Sequence, residues 1–139
     1  MATITVPVNS RAFIKSGPTP TSEIAGEDLE VMIPLYRKSA DQLLYTANSV
    51  ATLKETSTVV GLTLSISETS GQILVASGRG AVVDFGVALT KGATYYLVGS
   101  GLIGLYSDIT VGHQIVRVGF ANESQDLIVD IYDYNEVKT

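Results

Sequence analysis

The chain has one histidine, His113, in Thr110-Val111-Gly112-His113-Gln114, with Ser107 and Asp108 a few residues upstream. A histidine works as a general base only when a nucleophile lies in reach and a carboxylate orients its ring. No Gly-x-Ser-x-Gly elbow presents a serine here, so His113 reads as a turn residue at the surface. The acids Asp126, Asp130, Asp133 and Glu136 cluster near the C-terminus. On a strand Asp126 and Asp130 would share a face. A calcium site needs six to eight converging oxygens, usually from a tight loop, and this spacing is not that of an EF-hand. The acids read instead as a solvated edge that discourages strand-to-strand aggregation. Gly78-Arg79-Gly80 and Gly99-Ser100-Gly101-Leu102-Ile103-Gly104 are glycine-rich. Neither is followed by Lys-Ser/Thr or leads into a helix that could present its N-terminus to a phosphate. They read as β-turns.

With no cysteine and one histidine, ordinary zinc sites and thiol chemistry are excluded. Two carboxylates can always meet in space for glycoside hydrolysis. Sugar sites usually add aromatic platforms, though, and the chain has no tryptophan and seven tyrosines, most of them inside apolar runs. The expectation is a protein with no catalytic residues, no metal and no cofactor: not an enzyme.

The elements that would position any such residues are short and β-like. Ile4, Val6 and Val8 alternate with Thr3, Thr5 and Pro7, a strand with one apolar face whose proline places it at a sheet edge or outside a sheet. Ser16-Gly17-Pro18-Thr19-Pro20-Thr21-Ser22 reads as an irregular connector. Residues 1–22 are therefore expected to form an extended N-terminal arm, and 23–139 a β domain whose acidic tail starts at about 132. Leu35-Tyr36 and Leu43-Leu44-Tyr45 flank a polar stretch and fit a hairpin. A helical turn is placed in 49–57. Strands are expected at 59–66, 72–76, 81–85, 93–98, 103–106, 114–121 and 126–132, punctuated by glycines. Many short strands with regular turns point to an all-β fold, a small β-sandwich or β-barrel. Two series echo each other in order. One is Leu35-Tyr36, Tyr45, Val60-Gly61-Leu62-Thr63 and Gln72 to Val75. The other is Tyr95-Tyr96, Tyr106, Val118-Gly119-Phe120-Ala121 and Gln125 to Val129. This suggests an internal pseudo-repeat.

The 139 residues suffice for one domain, which can bury roughly two thirds of its unfolded surface without metal or disulfide. Apolar residues make up 45% and charged residues only 17%, against about 25% in a typical soluble domain. A surface with so little charge fits burial against other chains. The net charge of -5 argues against a nucleic-acid partner. No apolar run approaches the ~20 residues of a membrane-spanning helix, and the N-terminal residues lack the basic start and apolar stretch of a signal peptide.

From about Ile24 to Ile131 the chain resembles a family of small tailed-bacteriophage virion proteins described as capsid decoration, structural cement or head-fibre proteins. The residues that carry the resemblance are Ala25-Gly26-Glu27-Asp28-Leu29, Leu35-Tyr36, Tyr45-Thr46-Ala47, Val60-Gly61-Leu62 and Gly71-Gln72 through Ser77-Gly78. They continue with Leu89 through Leu97, Gly101-Leu102-Ile103, Ser107 through Gly112, Val116 through Ala121 and Leu127 through Ile131. Where the family often has a glycine before the first Leu/Val-Tyr, this chain has Met32-Ile33-Pro34. Residues 1–22 and those from Tyr132 on lie outside the match. The resemblance implies a non-enzymatic protein, made in the host cytoplasm, that binds the outer capsid surface of the virion. Its partners would be the major capsid protein and its own copies, commonly as a homotrimer. A tail or fibre component, or a carbohydrate-binding adhesion module, is the alternative.

Two contact elements are expected. In the arm, Ile4, Val6 and Val8 with Phe13 offer an apolar strand that could add to a neighbour's sheet edge, and Arg11 and Lys15 would suit an acidic surface. In the domain, Tyr95, Tyr96 and Tyr106 are expected to form a subunit interface.

Overall fold

The computed structural model describes residues 13–50, 54–65, 71–84, 89–122 and 126–139, with the side chains of Phe13 and Ile14 outside the description. Among the described residues eleven strands run in the order β1 (Phe13–Ser16), β2 (Thr21–Ile24), β3 (Pro34–Arg37), β4 (Leu44–Thr46), β5 (Gly61–Thr63), β6 (Gln72–Ala76), β7 (Val82–Asp84), β8 (Thr94–Val98), β9 (Leu102–Gly104), β10 (Gln114–Ala121) and β11 (Asp126–Val137). A single helical turn, α1 (Lys54–Ser57), follows β4, and a 3-10 turn (Tyr106–Asp108) follows β9. The strands form two antiparallel sheets, ordered β2-β6-β5-β3-β4 and β1-β7-β11-β10-β8-β9. This is the all-β sandwich that the strand pattern implied. The expected hairpin is β3–β4, and the expected helical turn is α1.

The two sheets share one plan. Without β1, replacing β2 to β6 by β7 to β11 in order turns one sheet's strand sequence into the other's. The registers agree as well. Pro34 pairs with Leu62 and Leu35 with Gly61 in one sheet, while Thr94 pairs with Phe120 and Tyr95 with Gly119 in the other. The left-handed residues Met32 (φ 64°) and Gly92 (φ 84°) occupy the same place. Their N–H groups donate to Thr63 and Ala121 carbonyls respectively. The pseudo-repeat is therefore present in topology and register. One detail differs from the sequence reading: Val75 matches Leu127, not Val129, because each pairs with the last residue of the preceding strand.

The cores show how the units stack. Leu62, Leu64 and Ala76 on β5, β6 and their flank join Tyr95, Val118, Leu127 and Val129 of the other sheet in the central cluster. The opposite face of the five-stranded sheet carries Leu35, Leu44, Ile73 and Val75, closed over by Ala25 and Leu29. A parallel bridge between Ala25 and Leu44 curls that sheet around this second cluster. The 25–33 segment is pinned by polar groups: Glu27 Oε2 accepts the Thr46 N–H at 2.7 Å, and buried Thr63 Oγ1 accepts the Ile33 N–H at 2.9 Å while donating to the Glu30 carbonyl.

Two expectations about the chain ends change. Residues 13–22, assigned to the arm, supply edge strands to both sheets: β1 pairs with β7 and β2 with β6. The connector between them is packed: a Cβ on Gly17 (φ 96°) would lie 2.8 Å from Ala81 Cα. Lys15 Nζ meets the buried Asp126 carboxylate at 2.9 Å, fastening β1 to the sheet. Removing that cation leaves a largely desolvated carboxylate short of a partner, so Lys15→Ala should lower stability by about 1 kcal/mol; an unchanged urea midpoint would mean strand pairing alone holds β1. The acidic tail, for its part, is strand to Val137. β11 pairs with β7 over Asp126–Ile128; from Tyr132 on it pairs with β10 alone among the described residues and is mostly exposed, so the solvated edge is found there, while Asp126, Asp130 and Asp133 pair with Lys15, with Arg79 and Arg117, and with Lys54.

The β3–β4 hairpin holds a titratable pair. The Tyr45 hydroxyl donates to Asp41. That bond raises the Tyr45 phenol to about 12 and, with the Leu43 N–H, lowers the Asp41 carboxyl. Its contribution is present from above the ordinary carboxylate range up to the ordinary phenol range. It is lost as pH falls through the lowered Asp41 value or rises through about 12. Asp41→Asn should return Tyr45 towards 10, read as tyrosinate absorbance against pH; an unmoved titration would place the cause elsewhere.

Candidate interaction surface

Residues directly opposite on neighbouring strands point to the same side of a sheet. Arg117 pairs with Tyr96 on β8 and with Tyr132 on β11, giving a row Tyr96–Arg117–Tyr132 across three strands. Phe120 pairs with Thr94 and Ile128, giving a second row beside it. Both rows lie on the outer face of the six-stranded sheet, opposite the core residues Tyr95, Leu127 and Val129. A register shift at Arg117–Gly119 lets Arg117 and Phe120, three residues apart, share this face.

The side chains on this face are held in place. Arg117 lies 4.9 Å from the Phe120 ring centroid and 5.3 Å from that of Tyr132, within cation–π range. Its guanidinium also donates to the Asp130 carbonyl at 3.1 Å and pairs with the Asp130 carboxylate at 3.2 Å. Arg79 reaches the other carboxylate oxygen at 3.2 Å. Tyr132 meets Tyr134 edge-to-face at 4.9 Å, and Tyr96 meets Tyr106 in the same way at 5.7 Å. Lys138 stands 4.9 Å over the Tyr106 ring and donates to the Tyr106 and Ile109 carbonyls. Burial, followed by the neighbouring Tyr134, holds the Tyr96 phenol above its ordinary range. One end of the face is covered by its own small cluster of Val98, Ile109 and Ile115 against Tyr96. Beyond it the surface is open: Tyr132 is 53% exposed and Tyr106 46%.

The expected contact residues separate. Tyr96 and Tyr106 belong to this face. Tyr95 does not: it is 2% exposed, in the central cluster, and its hydroxyl accepts the Thr90 N–H at 2.8 Å. The strand alternation that turns Tyr96 outwards turns Tyr95 in. Ile4, Val6, Val8 and Arg11 lie outside the described residues. The Phe13 backbone pairs with Asp84, and Lys15 is engaged with Asp126. Sequence reasoning missed Arg117, Phe120, Ile128, Asp130, Tyr132 and Tyr134. The available signal was a lone arginine inside the apolar run Val116-Arg117-Val118, which a strand accepts only where the guanidinium finds partners.

His113 sits in the expected turn, its N–H donating to the Thr110 carbonyl, but its ring is engaged: Nδ1 shares a 2.8 Å hydrogen bond with Oγ of Ser49, in the segment after β4. Ser49 is fully buried, so its hydroxyl does not face a substrate. Asp108, close to His113 in sequence, accepts the Leu105 N–H at 3.0 Å. Among the described residues no three His, Cys, Asp or Glu side chains converge as a metal site. No described helix is long and apolar enough to cross a membrane. No protein-family model matches the chain, and no curated protein matches it.

Proposed function

We propose that this protein is a structural component of a bacteriophage virion that binds the outer capsid surface and stabilises it. It acts through protein contacts and not through catalysis. The observation that carries the docking role is the row Tyr96–Arg117–Tyr132 with Phe120 and Ile128 beside it. Tyrosine, phenylalanine and arginine are the residues enriched in the buried centres of protein interfaces. Here they are already fixed by ring and ion-pair contacts, so binding orders little that is not ordered in the free chain. The sequence resemblance supplies the capsid as the destination. A protein that bridges several capsid subunits binds only their assembled arrangement and so adds stability to it by mass action.

The exposed tyrosines also bear on the carbohydrate-binding alternative, which needs open ring faces. Arg117 stands over the Phe120 and Tyr132 rings and Lys138 over Tyr106, so the cations occupy positions where a sugar would stack. This favours a protein partner. The deciding experiment counts this chain against the major capsid protein in purified particles by calibrated mass spectrometry. A ratio near one copy per capsid subunit is expected. A handful of copies per particle would place it in the tail or fibre, and absence would end the virion reading.

A further inference from the structure

Charge is unevenly placed on this chain. The net charge is -5, yet the centre of the outer face of the six-stranded sheet is positive. The guanidiniums of Arg79 and Arg117 share the one carboxylate of Asp130, each at 3.2 Å, so one positive charge is left over. The two arginines differ in what they have left to offer. Arg117 is 18% exposed in its side chain. Its guanidinium is occupied by the Asp130 carbonyl and carboxylate, the Tyr134 hydroxyl and the Phe120 and Tyr132 rings. The Arg79 side chain is 83% exposed and meets Asp130 through Nε, which leaves the outer edge of its guanidinium to solvent. Its backbone is held beside β11, because the Gly80 N–H donates to the Val129 carbonyl and the Ala81 N–H to the Gly78 carbonyl.

The opposite layer carries the acids. Residues 21–46 supply β2, β3, β4 and the segment that closes over the second core, and they hold Glu23, Glu27, Asp28, Glu30 and Asp41 against Arg37 and Lys38. The molecule therefore turns a cationic, aromatic centre one way and an acidic layer the other. A field of this form draws a negative surface towards the aromatic face and resists its approach to the far end.

We infer that the protein surface seated on this face is acidic at its centre: it brings an Asp or Glu carboxylate to the exposed edge of Arg79, with apolar side chains around it against Phe120, Ile128 and Tyr132. A guanidinium offers a carboxylate two parallel N–H donors, and Nε of Arg79 is the part already used by Asp130. The incoming carboxylate supplies the second negative charge that Arg79, Asp130 and Arg117 lack between them. The surrounding rings exclude water as the surfaces meet, which strengthens the pair. The same polarity sets the orientation on the particle, with residues 21–46 facing the medium. This inference rests on the docking role proposed above and adds to it the chemistry of what is docked.

The test is binding of the purified chain to capsids that lack it, by co-sedimentation, at about 50 and about 500 mM salt. Wild-type affinity should fall several-fold over that range. Arg79→Glu should weaken binding about tenfold or more at the lower salt and flatten the salt dependence. Lys38→Glu makes the same change in net charge on the β3–β4 hairpin and should stay within about twofold of the wild type. Circular dichroism and urea midpoints check that both variants fold, as expected for a side chain as exposed as Arg79. Salt-indifferent binding, or Arg79→Glu behaving like Lys38→Glu, overturns the inference and leaves the docking role in place. Phe120→Asp tests that role separately. If Phe120→Asp binds as the wild type does, or the wild type does not bind capsids at all, docking through this face fails and this inference falls with it.

Discussion

Gly119→Ala should destabilise the protein by about 3 kcal/mol or more, and Gly119→Val should leave little folded material. A Cβ at this position would run into the Ile128 carbonyl oxygen, and the Leu127 side chain would stand 3.3 Å from it. The obstacle is backbone in the β10–β11 pairing, the longest ladder in the fold, so relief requires the two strands to separate at the register shift. Gly61 is the equivalent residue of the first repeat, and its prediction is milder. There the nearest atom is Cγ1 of Val75, a side-chain methyl that can turn away, although the Ala76 carbonyl oxygen at 3.1 Å limits the relief. Gly61→Ala should cost about 1–2 kcal/mol. Urea denaturation of both variants measures the difference. A Gly119→Ala protein with a wild-type midpoint would show that the two strands are not held as closely as described.

The paired glycines also show what the sequence reveals and what it hides. The strands were legible because apolar alternation and glycine punctuation are local signals. The shared pattern Val-Gly followed by a large apolar residue, Val60-Gly61-Leu62 and Val118-Gly119-Phe120, marked matching strands, β5 and β10, in the two halves. The repeat extends further: Gly26, Leu29 and Tyr36 recur as Gly86, Leu89 and Tyr96 at identical spacing, and Leu29 and Leu89 are both buried. What a repeat cannot disclose is how its copies stack. Leu62 and Phe120 are equivalent by sequence and register, yet one is core and the other lies on the outer face, because only one of the two faces has a sheet against it. For the same reason Tyr95 and Tyr96 could not be assigned to core and surface from their types: adjacent strand residues alternate, and the choice of side depends on the distant partner sheet. The edge strands β1 and β2 were hidden by composition. Gly17, Pro18 and Pro20 signal a connector correctly, but a connector between sheets reads locally like one leading away from the domain. The Ser49–His113 hydrogen bond joins residues that no sequence spacing relates.

The equivalence of Leu62 and Phe120 yields the sharpest contrast. Leu62→Ala should cost about 2–5 kcal/mol, the range for removing a fully buried leucine and leaving a cavity between packed layers. Its side chain is 0% exposed and lies against both sheets' contributions to the central cluster. Phe120→Ala removes the larger side chain but opens no enclosed cavity, since one side of the ring already faces outwards. Its cost should be about 1 kcal/mol, mostly the lost contact with Arg117. Urea denaturation of the two variants side by side measures the contrast. Equal costs for the two truncations would show that the Phe120 ring is as enclosed as the Leu62 side chain and that the row Thr94–Phe120–Ile128 does not lie on the outer face.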